Sequence, residues 1–222
     1  ANKALRENGQ PSFSLGVTHL AQNPRGPVMQ AVINALTINE TYFYRELDQM
    51  RLLCSDLIPR IDRTTGPIRI LSLPCSTGEE PYSIAIYCRE NLSPDIAARI
   101  QISGADIDSS AVEKARLGQY GDRAVSRLPP QLVQRYFRKG RDGDHKLDPM
   151  VRRKVKLSAA NLLDPVVTRQ FRMVDIVFCR NVLIYFDDAA KTKALSHLHQ
   201  ILRPGGCLLL AHAEQIGRLD VP

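Results

Sequence analysis

The residues best suited to chemistry stand just after short apolar runs. Behind residues 68–73 come Pro74, Cys75, Ser76, Thr77, Gly78, Glu79, Glu80 and Pro81. A dinucleotide site would want GxGxxG here, to bring a pyrophosphate onto helix amides. One glycine followed by two carboxylates repels phosphate and suits a cationic ligand. A second reading is a capping box from Ser76 or Thr77 to Glu79 or Glu80, with the acids favouring the helix dipole. Pro81 fits best at the first helical position, which makes Glu80 the cap and leaves Glu79 outside the helix. Behind residues 100–104 stand Asp106 and Asp108. An acid at such a position accepts hydrogen bonds from ribose hydroxyls, and Asp106 is the candidate; Asp108 or Ser109 caps the next helix. Asn161 and Leu162 follow a third run, and Arg180, Asn181 and Tyr185 a fourth.

These positions matter only if the runs are strands of one sheet, whose ligands bind beyond the carboxyl ends. Apolar runs at 68–73, 100–104, 155–159, 174–179 and 207–211 alternate with helical patterns at 81–91, 109–117, 130–136 and 189–202, the last stopped by Pro204, Gly205 and Gly206. The alternation predicts an α/β fold with a doubly wound, mostly parallel sheet. Upstream, residues 1–26 have weak periodicity, and 27–36 read as a short helix with Pro27 near its start. Phe43, Leu47, Met50, Cys54, Leu57 and Ile61 fall at three- and four-residue steps, predicting an amphipathic helix that Pro59 helps to end. Turn residues Gly140, Asp142, Gly143 and Pro149 set off a small antiparallel hairpin between the stretches 135–139 and 151–156.

The chain of 222 residues carries a formal charge of +7, and residues 135–156 hold nine Lys or Arg against three Asp. Such a patch favours an anionic partner without choosing among nucleic acid, membrane surface and acidic protein. No run reaches the length of a membrane span and no signal-peptide pattern opens the chain, so it reads as soluble and cytoplasmic. Five scattered cysteines suggest neither a disulfide framework nor a zinc site. His197 and His199 point to different faces of their helix, so no metal is expected.

Five blocks occur in order: Asn39-Glu40-Thr41-Tyr42-Phe43-Tyr44-Arg45, Ser76 to Ser83, Asp106-Ile107-Asp108, Phe178 to Phe186, and Ala211-His212-Ala213-Glu214. Together they resemble the chemotaxis-receptor glutamate O-methyltransferase (CheR-type) family, from about Thr37 to Glu214. Considered alone, Thr37 with Glu40 would pass for a capping box and Arg45 for a solvated charge. The resemblance implies a Rossmann-like class I methyltransferase fold in which S-adenosyl-L-methionine is held by Asn39, Thr41 and Arg45 from the helical side. From the sheet side it implies Glu79, Asp106, Asn161, Leu162, Arg180 and Asn181, with Glu80 doing no more than capping. It further implies transfer to glutamate side chains on a chemoreceptor's cytoplasmic helices, leaving S-adenosyl-L-homocysteine. Tyr185 and Arg45 or Arg180 would orient the carboxylate, and Phe43 or Tyr185 would lie near the sulfonium. The basic hairpin, about 135–157, corresponds to an appended β-subdomain that would dock the receptor.

Residues 1–62 would be a partial N-terminal helical region with its linker helix, and 63–222 the catalytic domain. Against the family pattern the start is short and only eight residues follow Glu214, so a fragment lacking a last strand is expected. Two rival readings are a nucleic-acid methyltransferase and a non-catalytic cofactor-binding scaffold. The first would favour Asn or Asp before Pro-Pro-Tyr, whereas Val182 and Leu183 stand after Asn181; no nucleic-acid partner is expected.

Overall fold

The computed structural model describes residues 1–9, 12–61, 66–140 and 142–214. The expected boundary at residues 62–63 lies outside them, as do the residues after Glu214.

The main sheet contains β1 (Ile68–Ser72), β2 (Ile100–Asp106), β6 (Val155–Ala159), β7 (Val174–Phe178) and β8 (Leu202–Leu209) in the order β6-β2-β1-β7-β8. All neighbours are parallel, with Ile70 opposite both Ile102 and Ile176. Period-two alternation divides the core between the two faces. Ile68, Ile70, Ile176 and Phe178 pack with Met50, Leu53, Ile58, Tyr82, Ile84 and Ile86 on one face. Leu71, Leu73, Val177 and Cys179 pack with Leu195, Leu198 and Ile201 on the other. A fully buried side chain of this kind contributes about 1.5–3 kcal/mol, and all five residues of β7 are buried. The order reverses between β1 and β7, so their carboxyl ends diverge and leave a crevice.

The helices Pro27–Leu36, Ser109–Leu117 and Pro130–Tyr136 stand where the sequence places them. Four expectations are corrected. The amphipathic helix starts at Leu47, because Tyr44 and Glu46 take positive φ (62° and 53°) and lift Phe43 out of it. It widens to a π-turn over Leu53–Leu57 just before Pro59, whose ring and missing N–H disturb the preceding turn. The helix after β1 spans Glu79–Asn91 and begins behind Gly78, not at Pro81. The basic segment is also divided. β4 (Phe137–Lys139) pairs with β5 (His145–Leu147), and β3 (Gln119–Tyr120) completes this three-stranded antiparallel sheet. Residues 151–156, expected as the second hairpin arm, instead fall in the helix Pro149–Arg153 and the start of β6, because Asp148 caps a helix that Pro149 starts. Finally, two short helices, Asn2–Glu7 and Phe13–Gln22, occupy the weakly periodic start. Among the described residues no helix is long and apolar enough to cross a membrane.

Candidate active site

A cavity of about 490 Å³ opens at the carboxyl ends of β1, β2, β6 and β7 and is walled on the other side by Ile33, residues 36–42 and Arg45. Asn39, Thr41, Arg45, Asp106, Asn161, Leu162, Arg180, Asn181 and Tyr185 all line it. Of the residues proposed from sequence, Glu79 does not, whereas Glu80 does.

The turn after β1 explains this exchange. Cys75 N–H donates to Ala105 O (2.8 Å), which ties the turn to β2. Gly78 sits at φ +93°, and a Cβ there would meet Ala115 Cβ at 2.8 Å and Tyr82 Cε2 at 2.9 Å. The helix therefore starts one residue later, at Glu79. Successive helical residues point about 100° apart, so only one of the two acids can face the crevice. Glu79 is buried and accepts from Thr77 Oγ1 (2.7 Å). Glu80 accepts from Ser72 Oγ at 2.8 Å and lies 3.0 Å from Arg180 Nη1. Burial raises the pKa of both carboxyls; at Glu80 the Arg180 charge and the Ser72 hydrogen bond oppose the rise.

On the adjoining wall the acids are interlocked. Asp106 accepts from Ser76 N–H (2.7 Å) and Asp108 N–H (2.9 Å), and burial raises its pKa against these bonds. Asp108 caps the following helix by accepting from Ala111 N–H (3.0 Å). It also takes Asn39 Nδ2 at 2.6 Å and Thr37 Oγ1 at 3.0 Å. Burial alone would raise its pKa, but these donors together with Ser110 hold it below the ordinary value. Asn39 Oδ1 in turn accepts from Ser76 Oγ (3.1 Å). Thr37 is thus a bridge to Asp108 and not the start of a capping box, and Glu40 pairs with Arg123.

The two arginines differ. Arg45 donates to Glu40 O (2.8 Å) and its guanidinium carbon lies 5.9 Å from the Tyr42 ring centroid. Arg180 is buried, donates to Arg45 O (2.8 Å), and stands between Glu80 and Glu46, the latter at 3.4 Å. Its Nε and Nη1 touch these carboxylates without aligned hydrogen bonds. Its charge is therefore already met by two acids, leaving Arg45 as the better-placed cation for a second carboxylate. Tyr185 is 61% exposed at the mouth. Phe43 is absent from the wall: it is fully buried between Tyr120 and Phe137, with ring centroids 4.9 and 5.1 Å away. Sequence reasoning also missed His197, whose Nδ1 lies 2.7 Å from Leu162 O and fixes that wall. Non-glycine residues with positive φ gather here, at Tyr44, Glu46, Ser76 and Asn181, as expected where function holds the backbone in uncommon conformations. Among the described residues no cluster of His, Cys, Asp and Glu suits a metal ion.

The model of the CheR methyltransferase SAM-binding domain matches residues 39–221. The chain belongs to the CheR methyltransferase family. Over 211 residues it is 39% identical to chemotaxis protein methyltransferase 2 of Vibrio cholerae, covering 94% of this chain and 73% of that one. It is 35% identical to chemotaxis protein methyltransferase 1 of Pseudomonas aeruginosa, covering 98% of this chain and 81% of the relative. The solved citrinin polyketide synthase CMeT domain superposes with a TM-score of 0.50 at 18% identity, over 90% of this chain and 43% of that one, a likeness of fold. The class I, Rossmann-like fold and S-adenosylmethionine-dependent methyl transfer are thereby established for the CheR domain.

The cavity's donor set fits the cofactor. Glu80 lines one corner with Glu46 behind Arg180, and a carboxylate so placed suits an ammonium or sulfonium. Arg180 Nε and Nη1 are buried without aligned acceptors, so they keep hydrogen-bonding capacity even though Glu80 and Glu46 meet the guanidinium charge. Asp106 is an acid in the wall, a group able to accept hydrogen bonds from a diol, and Leu73, Ile107, Leu162 and Leu163 make part of the wall apolar, as a flat base requires.

Proposed function

We propose that this protein methylates glutamate side chains of a chemoreceptor in the cytoplasm, giving the glutamate γ-methyl ester and S-adenosyl-L-homocysteine, for sensory adaptation. The observation that carries the reading is the cavity at the strand ends of a CheR domain, with Glu80, Asp106 and Arg180 in its wall and Arg45 and Tyr185 toward its mouth. In it, Asp106, Asn39 and Thr41 bind the nucleoside part of the cofactor with Asn161 and Leu162, and Glu80, Arg180 and Asn181 bind the amino-acid part. Glu79 supports this set from behind by filling the core beneath the turn.

Bound S-adenosylmethionine supplies an electrophilic methyl group on a sulfonium. The protein's own work is modest chemistry and careful positioning. A glutamate side chain, with an ordinary pKa near ~4.3, is already ionised at neutral pH, so no strong general base is needed. Arg45 attracts the incoming carboxylate and Tyr185 orients it by a hydrogen bond; alignment of this kind is worth about 7–11 kcal/mol over free encounter. The basic β3-β5-β4 subdomain docks the receptor.

Incubation with methyl-labelled cofactor tests the reading. Base-labile label on the receptor is the expected result. Base-stable label on nucleic acid, or no label with intact S-adenosylhomocysteine binding, would overturn it in favour of a nucleic-acid enzyme or a scaffold.

A further inference from the structure

The block Ala211-His212-Ala213-Glu214 has no part in the cavity wall, yet its last residue is only 8% exposed. Glu214 Oε1 accepts the N–H groups of Val182 and Leu183, both at 2.8 Å, and Oε2 accepts the N–H of Ala211 at 3.0 Å. Its own N–H donates to Ala211 O (2.9 Å), closing a tight turn. The need for such an acceptor follows from the sheet. The β7–β8 ladder has its last bond from Cys179 N–H to Leu209 O (2.9 Å). Beyond it the chain bends away at Asn181, which takes φ +60°, and enters the short turn Leu183–Tyr185. The amides of Val182 and Leu183 have passed the end of the ladder and need a partner. A carboxylate is the one side chain that accepts three N–H groups with no donor of its own to clash. The segment it grips carries Asn181 on one side and Tyr185 on the other, and both line the cavity.

We propose that Glu214 is a positioning residue for methyl transfer: by clamping the 182–183 amides to the end of β8 it sets where Tyr185 stands at the mouth. This rests on the reading of Tyr185 given above. A misplacement of about 1 Å at a reacting centre can cost roughly 100-fold, so the clamp acts on turnover more than on binding.

The test is a double-mutant cycle of Glu214→Ala and Tyr185→Phe in the full chain. Turnover is counted per cofactor site, with sites titrated calorimetrically by S-adenosylhomocysteine. The expected result is a loss of kcat per site of at least about tenfold in Glu214→Ala, with receptor KM within about threefold and much of the loss gone on the Tyr185→Phe background. Amide exchange at Val182 and Leu183 should accelerate. A merely structural role would lower the number of sites and the melting temperature but leave kcat per site unchanged. Glu214→Gln, which keeps one oxygen but turns an NH₂ toward Ala211 or the loop, should fall between, and it carries the same comparison if the alanine variant does not fold. Unchanged kcat per site, losses that simply multiply, or unchanged amide exchange would overturn the clamp. Wild-type protein that labels no receptor would instead sink the functional reading, and the exchange rates would then still decide the clamp.

Discussion

The two ends of the cavity are built on different principles. At the Asp106 end, polar groups are locked to one another before any ligand arrives: Ser76, Asp106, Asp108, Asn39 and Thr37 form a continuous hydrogen-bonded chain. At the mouth, Tyr185, Leu36 and Ile38 are 61–66% exposed. A cofactor is the same molecule in every turnover, so a saturated network that fixes one geometry is the economical solution. A protein substrate arrives as a surface with several acceptor side chains, and an exposed apolar rim around a single cation and a phenol tolerates differences among them. The contrast predicts that variants of the first end change binding, while variants of the second change turnover or apparent receptor affinity.

The sharpest way to break it is Asp106→Ala. This removes an acid from the cavity and also takes away the acceptor to which the amides of Ser76 and Asp108 donate. Hydrogen bonds to a charged group are worth about 1.5–3 kcal/mol each. S-adenosylhomocysteine affinity should fall about 100-fold, roughly 3 kcal/mol, in calorimetry. Affinity within a factor of about three of wild type would show that the network is scaffolding and not a ligand site.

Much of this end was legible in the sequence because its signals are local. Short apolar runs alternating with helical patterns marked β1, β2, β6 and β7, and the acid two residues past an apolar run marked Asp106. What was not legible depended on rotation or on distant pairing. Glu79 and Glu80 are adjacent in sequence, and which faces the crevice is decided by a helix start that Gly78 sets through contacts with Ala115 and Tyr82. Phe43 fits the helical period of Met50 and Ile61, but the positive φ at Tyr44 and Glu46 turns it into the aromatic cluster under the small sheet. The third strand of that sheet, Gln119–Tyr120, is two residues long and carries no periodic signal of its own. Its register comes from Tyr120 pairing with His145, twenty-five positions along.

Glu80 offers a second, smaller test with a defined pH sign. Burial raises its pKa above the ordinary carboxylate value. In the free protein it therefore keeps its proton at pH values where the unfolded chain has released it, and its contribution to stability declines as pH rises through that window. A cationic ligand group beside it favours the carboxylate, so binding should release a proton and tighten with rising pH across the same window before levelling off. Glu80→Gln should bind S-adenosylhomocysteine about tenfold more weakly at neutral pH and with a flat profile there. If the variant retains the pH-dependence of wild type, another group is responsible and the acid corner is not the ammonium site.

The smallest effect is expected on the receptor-facing side, where the division of the basic segment sharpens the comparison. Arg138, Lys139 and Lys146 are exposed on β4 and β5. Arg152 is a different kind of residue: it donates to Leu117 O (2.8 Å) and its chain packs over Gly118, whose φ of +63° closes the preceding helix. Replacing Arg138, Lys139 and Lys146 with Gln should raise the apparent KM for receptor about two- to fivefold at low salt, with the difference shrinking as ionic strength rises, as for rim charges that steer encounter. Cofactor affinity should not move, because none of the three reaches the cavity. Arg152→Gln should instead lower the melting temperature and leave KM alone. The reverse pattern, a KM effect from Arg152 and none from the hairpin, would move the docking face from the small sheet to the helix that follows it.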